Sequence, residues 1–192
     1  MIAIRCLDAR EAEARIGELA GLLLDAVAHG ASVNFMANFT REQAGAFWRG
    51  QLPGIAGGDR LLLGADDAER RDGDRLAGTV IVYFMQQPNQ PHRAEIGKML
   101  VHSASRRQGL GRRLLLAGGA EAHRAGRTLL MLDTEAGSAG DKLYRSCGWV
   151  EFGKVPEHAY RPNGVLATTT FFYKTLSPTH RAPAHAPDQS SR

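Results

Sequence analysis

The sequence predicts a mixed α/β domain: a mostly antiparallel sheet with one parallel strand–helix–strand unit at its centre. Three observations carry that reading. Apolar residues recur at helical spacing early in the 192-residue chain, strand-like runs fill its middle and end, and a long amphipathic stretch near residues 108–125 separates two of those runs. Neighbouring strands joined by one helix run parallel through a right-handed crossover. With 43% hydrophobic and 23% charged residues, the composition is that of a folded globular protein. A chain of this length buries a core large enough to stand without a disulfide or metal.

Residues 2–7 read as a first strand. From Glu11, the residues Ile16, Leu19, Ala20, Leu23 and Val27 form a 3.6-residue stripe, and Gly30 stands where a helix C-cap belongs. A loop at 31–36 carries Asn34, Phe35 and Met36. Thr40 with Gln43 is a capping box opening a second helix, whose apolar positions are Ala44, Phe47 and Trp48 and whose stop is Pro53-Gly54. Residues 60–65 and 75–85 form a hairpin around a polar turn, and a further strand covers 93–102. The long helix closes at Gly126. Residues 128–133 are almost wholly apolar, which predicts a strand covered on both faces. A short helix ends near Cys147-Gly148, and strands at 149–155 and 167–175 flank a Pro162-Asn163-Gly164 turn. Residues 1–176 make up the domain. The last sixteen, 177–192, hold three prolines and read as a disordered tail.

The chain carries 24 basic and 20 acidic residues, a net charge of +4, and the excess is local. Residues 93–127 contain eight basic side chains against two acidic ones. Such a patch points to one anionic ligand rather than a nucleic-acid track, and no aromatic ladder accompanies the arginines. The charged N-terminus lacks the apolar region of a secretory signal. No apolar run approaches the ~20 residues that span a bilayer. Cys6 and Cys147 form no CxxC pair, so the expectation is a cytoplasmic chain with reduced thiols. The seven histidines contain no compact ligand set, and no metal is expected.

The anion site reads as Arg106, Arg107, Gln108, Gly109, Leu110, Gly111 and Arg112, where a strand meets the long helix. Unpaired N–H groups and the positive end of the helix dipole favour an anion there. The glycines let it approach the backbone, and the arginines add bidentate donors suited to a pyrophosphate. No GxxxxGK[ST] run exists, and the third glycine of a dinucleotide fingerprint is replaced by Leu114. A lone GxG also fits a turn glycine followed by a tolerated helix glycine. Gly118 and Gly119, within the helix, should cost about 1 kcal/mol each relative to alanine; close packing on the sheet would account for them.

Residues 100–112, LVHSASRRQGLGR, resemble motif A of the GNAT superfamily, the Gcn5-related N-acetyltransferases, whose signature is Arg/Gln-x-x-Gly-x-Gly/Ala. Leu143-Tyr144-Arg145-Ser146-Cys147-Gly148-Trp149 is similar to a second family element, Leu-Tyr-x-x-x-Gly-Trp. The order of elements from residue 2 to about 176 is that of the GNAT-type acyl-CoA N-acyltransferase fold. Residues 31–36, 90–96, 130–134 and 169–174 further resemble the branch containing the tabtoxin-resistance acetyltransferases.

That resemblance implies transfer of an acetyl group from acetyl-CoA to the primary amine of a small molecule, an amino-acid-like toxin or antibiotic among the candidates. It implies pantetheine along Met99, Leu100 and Val101, with main-chain pairing like that of an added strand, and the diphosphate on residues 106–112. Arg113 either reaches phosphate oxygens or lies on a solvated helix face. Tyr144 is the implied proton donor to the departing thiolate, unless it is simply a core aromatic. Glu95 and Asp133 are the implied bases; otherwise Glu95 pairs with Arg93 and Asp133 caps a loop. The family asparagine seven residues before the tyrosine is Gly137 here, so that cofactor contact falls to Ser138 or is lost. Asn34 and Phe35 are the acceptor contacts, and His102 and His158 either line the acceptor cleft or lie on the surface. The expected partner is a small amine, with no nucleic acid or membrane, for a monomer or homodimer. Acetylation of a protein N-terminus or lysine, and a non-catalytic CoA-binding module, are the alternatives.

Overall fold

The computed structural model describes residues 2–70 and 74–176; the tail expected at 177–192 lies outside the described residues. β1 (Ile2–Leu7) is followed by α1 (Ala9–Ala14) and α2 (Ile16–Ala28). The stripe that predicts one helix from Glu11 is thus two helices. α1 starts earlier because Asp8 and Glu11 form a capping box. The chain leaves helical geometry at Arg15, whose guanidinium bonds Glu18 at 2.8 Å and Asp66 at 2.6 Å. α3 (Arg41–Arg49) opens on the Thr40–Gln43 capping box and ends at Gly50. Pro53 does not stop it. It sits instead in the first turn of a short α4 (Leu52–Ala56), where a missing N–H costs nothing.

Then come β2 (Arg60–Asp67), β3 (Leu76–Phe84) and β4 (Arg93–Val101), followed by α5 (Leu110–Arg124), β5 (Leu129–Glu135) and α6 (Ala139–Ser146). β6 (Val150–Tyr160) and β7 (Leu166–Thr175) close the domain. The seven strands lie in the order β1-β2-β3-β4-β5-β7-β6, antiparallel except for β4 and β5. This is the mixed α/β architecture with a central parallel unit that the sequence predicts.

Side chains alternate across the sheet. One face packs on α5 and α6 through Leu63, Val80, Val82, Ala94, Ile96, Leu114, Leu130 and Phe172. The other packs on α1, α2 and α3 through Leu7, Leu19, Leu23, Trp48, Leu62 and Ile81. That second cluster includes no residue of β5, β6 or β7. β5 is therefore fully buried on one face only, at Leu130 and Leu132, and not on both as its apolar run predicts.

Two glycines on the α5 face behave oppositely. A Cβ on Gly78 would lie 2.7 Å from the Leu100 carbonyl oxygen and 2.8 Å from Leu114. Gly78→Ala is expected to cost about 1–3 kcal/mol in urea unfolding. A Cβ on Gly119 would meet only Leu130, at an ordinary 3.8 Å. Close packing does not require that glycine, and Gly119→Ala is expected to stabilise by about 0.4–1 kcal/mol in the same assay.

Candidate active site

The site begins where the parallel pair comes apart. β4 and β5 are in register only at Arg93–Leu129, Ala94–Leu130 and Glu95–Met131. β4 then runs on to Val101 beside β3, and β5 to Glu135 beside β7, without pairing to each other. From Ile96 onward β4 keeps β3 on one side, while its other edge, including Met99, Leu100 and Val101, faces a gap. Unpaired strand edges bind extended amide-bearing chains.

At the end of that edge the chain turns into the basic loop. Asp25, on α2, holds the turn: its carboxylate accepts from the Ser103 N–H at 2.8 Å and the Ser103 hydroxyl at 2.6 Å. It also lies 3.7 Å from His102 and 3.8 Å from Arg106. Arg106 donates to the Val101 carbonyl at 3.1 Å, so its side chain braces the loop from within. Gly109 is the N-cap of α5 with φ +75°, a left-handed conformation that glycine adopts without strain, and the space where a Cβ would project is open. Neither a capping side chain nor an acid serves this terminus, which leaves the N–H groups of Leu110, Gly111 and Arg112 unpaired. Gly111 allows the close approach of Leu143, which a Cβ would meet at 3.2 Å. Arg107 and Arg112 are exposed beside these donors. Arg113 is exposed on α5 and donates to the Ile2 carbonyl at 2.6 Å.

Glu95, Asp133 and Lys98 share the sheet face beyond α3. Glu95 and Asp133 follow the alternation of their strands, and Lys98 joins them because β4 bulges opposite Val80. Glu95 is bonded to Arg93 at 2.8 Å, the pairing anticipated as its alternative role. Asp133 caps no loop; it sits within β5, opposite Phe171 of β7. Solvent reaches it, yet the surrounding protein displaces enough water to push its carboxyl pKa up. The charge of His158 opposes that rise, Glu95 adds to it, and Lys98 opposes it.

Tyr144, on α6, occupies the opposite face of the sheet, its ring centroid 6.0 Å from those of Trp149 and Phe172. Burial drives its phenol pKa well above the ordinary value, and the negative charge of Asp133 raises it further. The hydroxyl therefore stays protonated and within electrostatic reach of Asp133. Ser138 caps α6 by accepting from the Asp141 N–H at 3.1 Å, with Thr134 at 3.4 Å from its hydroxyl.

The loop after α2 closes one side of this face. Phe35 stacks on Phe39 at 4.0 Å and meets Phe47 edge-on at 5.2 Å, while Asn34 is exposed in a left-handed conformation, φ +72°. The Ala37 N–H donates to the Pro162 carbonyl at 3.0 Å, which ties this loop to the β6–β7 turn. Trp48, by contrast, is buried core. His158 packs on Phe171 at 5.3 Å beside the cleft; His102 caps the turn after β4 and faces Asp25.

Asp133 thus lies beside the parting of β4 and β5, within electrostatic reach of Glu95 on its own face and of Tyr144 on the other. Two residues escape sequence reasoning. Asp25 looks like any polar residue on an amphipathic helix, and its loop partner is 78 positions away. Lys98 carries no local motif and owes its direction to the bulge. Elsewhere, a cavity of about 400 Å³ among Arg5, Arg15, Glu18 and Asp66 has these charges paired with one another. Among the described residues no cluster of three metal-ligating side chains occurs, and no helix is long and apolar enough to cross a membrane.

A family model described as acetyltransferase (GNAT) family matches residues 39–149. Among solved structures, the chain is similar to yncA, a putative acetyltransferase from Salmonella typhimurium with its cofactor acetyl-CoA: TM-score 0.71, 20% identity, covering 97% of this chain and 99% of that one. It is also similar to a putative phosphinothricin N-acetyltransferase (TM-score 0.69, 20% identity, 92% and 99% covered). A third likeness is to the ribosomal-protein-alanine N-acetyltransferase from Brucella melitensis (TM-score 0.66, 24% identity, 91% and 99% covered). At these identities the likenesses establish the fold.

Proposed function

Because the chain belongs to the acetyltransferase (GNAT) family, we propose that it transfers an acetyl group from acetyl-CoA to the primary amine of a small molecule, with amino-acid-like toxins and antibiotics among the acceptors to try. The observation that carries this reading is the parting of β4 and β5 after Glu95, with Tyr144 on one face and Asp133 on the other. The residues present fit the cofactor. An uncapped helix start and the open space at Gly109 suit a diphosphate, and the free edge of β4 suits the two amides of pantetheine. The neighbour from Salmonella typhimurium carries acetyl-CoA, which supports the same assignment.

When bound, acetyl-CoA supplies an electrophilic thioester and a thiolate leaving group. The chain's residues do the rest. Met99 and Val101 offer main-chain groups along the strand edge, Leu100 between them turning its own to β3, and an edge N–H there stabilises developing negative charge on an oxygen. Residues 107–112 hold phosphate oxygens, with Arg106 fixing the loop that presents them. Ser138 serves as the α6 cap, with its hydroxyl 3.4 Å from that of Thr134. Tyr144 donates a proton to the leaving sulfur. Asp133 accepts one from the incoming ammonium, because Glu95 is already engaged by Arg93.

What favours a small acceptor over a protein N-terminus or lysine is the Ala37–Pro162 hydrogen bond, because a loop after α2 tied to the β6–β7 turn leaves less of an open groove for a peptide. The test is thiol release from acetyl-CoA across amino acids, polyamines, aminoglycosides and peptides. Release with small amines supports the proposal, release with peptides alone moves the acceptor class to proteins, and no acceptor-dependent release leaves a CoA-binding module. Asp25→Ala is expected to raise the Kd for acetyl-CoA about tenfold, since charged hydrogen bonds are worth about 1.5–3 kcal/mol. Titration calorimetry checks this, and kcat at saturation should change far less.

A further inference from the structure

Lys98 is held in an unusual way. Its backbone has φ +44°, a conformation costly for a residue with a Cβ, within the bulge where two β4 residues oppose one of β3. The Thr79 hydroxyl fixes this kink by donating to the Lys98 carbonyl at 3.1 Å. Without the bulge, the alternation after Glu95 and Gly97 would turn residue 98 to the α5 face. With it, the ammonium lies half-buried over the rings of Phe47 at 5.3 Å and Phe35 at 5.7 Å, on the same face as Glu95 and Asp133. Among the described residues it forms no ion pair. Burial accordingly lowers its pKa, and the charge of Asp133 only partly offsets this. A desolvated cation without a carboxylate partner is costly, and aromatic faces compensate it in part. Glu95 has its own partner in Arg93. Among the described residues, Asp133 and Lys98 are thus the carboxylate and the ammonium on this face that form no ion pair, though each feels the other's charge.

We propose that Lys98 anchors a carboxylate of the acceptor, so that the preferred substrates are primary amines bearing a carboxylate a few bonds away, α-amino acids and their analogues. The inference rests on the acetyltransferase reading for its amine, and Asp133 takes that amine while Lys98 takes the acid. A zwitterion of this kind meets both charges at once. Phe35 and Phe47 then serve a second purpose, holding the lysine stem so that the ammonium is positioned before the acceptor arrives.

The test compares each amino acid with its decarboxylated partner: L-leucine with isopentylamine, L-phenylalanine with phenethylamine and L-methionine with 3-methylthiopropylamine. Binding is measured by calorimetry on the CoA-loaded protein and turnover by thiol release, so the two readings separate. The expected result is at least a tenfold preference for the carboxylate member in affinity. Lys98→Met should bring that ratio to about one, and Lys98→Arg, which keeps the charge, should restore most of it. Circular dichroism and a CoA titration check the fold of each variant. Equal affinity for both members in the unaltered protein, or a preference that survives in Lys98→Met, overturns the proposal. Carboxylate-dependent binding without turnover would uphold the anchor and overturn the acetyltransferase reading instead.

Discussion

Tyr144→Phe is expected to lower kcat by about 10²–10⁴-fold, the range for loss of a positioned proton donor, while the Kd for acetyl-CoA stays within about twofold. Phenylalanine keeps the ring that packs against Trp149 and Phe172, so only the hydroxyl is removed. Burial and the Asp133 charge hold that hydroxyl protonated far above neutral pH. A donor so placed does not titrate in the working range, and no alkaline limb belonging to Tyr144 should appear near or below the ordinary phenol value of about 10. Steady-state rates and calorimetric binding on the same preparation decide the matter. An unchanged kcat would make Tyr144 a core aromatic only.

Asp133→Asn is expected to be the next most damaging change, lowering kcat/KM by about 10²–10⁴-fold at neutral pH. Its effect should also be visible in the pH profile. A base must be deprotonated to work, so the rate rises with pH through its pKa. Loss of water around Asp133 puts that pKa above the ordinary carboxylate value, and the acid limb of kcat/KM should lie correspondingly high. In Asp133→Asn that limb should vanish, whereas in Glu95→Gln, where the lost group was paired with Arg93, it should persist. A limb that survives in Asp133→Asn and disappears in Glu95→Gln would transfer the role to Glu95.

The parts of this account that were legible in the sequence are those encoded locally. The Thr40–Gln43 capping box, the stripe of α2, the glycine-rich start of α5 and the tyrosine of α6 all depend on neighbours within a turn or two. What escaped depends on distant pairing. The break at Arg15 follows from its bonds to Asp66, 51 positions on. The one-sided burial of β5 follows from helices that cover only part of one sheet face, which the apolar run at 128–133 cannot reveal. Arg106 read as a loop cation like Arg107 and Arg112, and Arg113 as either a phosphate contact or a solvated helix residue. Their carbonyl partners, Val101 at 3.1 Å and Ile2 at 2.6 Å, lie closer than the Ser146 carbonyl does to Arg112, at 3.5 Å. Lys98 was invisible for the same reason, because a bulge is a property of two strands and not of one.

The central claim is that acetyl-CoA lies along the open edge of β4 with its diphosphate on the start of α5. Amide NMR of ¹⁵N-labelled protein titrated with acetyl-CoA tests it most directly. The account expects the largest shifts at Met99, Leu100 and Val101 and at residues 107–112. Largest shifts around Arg5, Arg15 and Asp66 instead, with residues 99–112 unmoved, would contradict it.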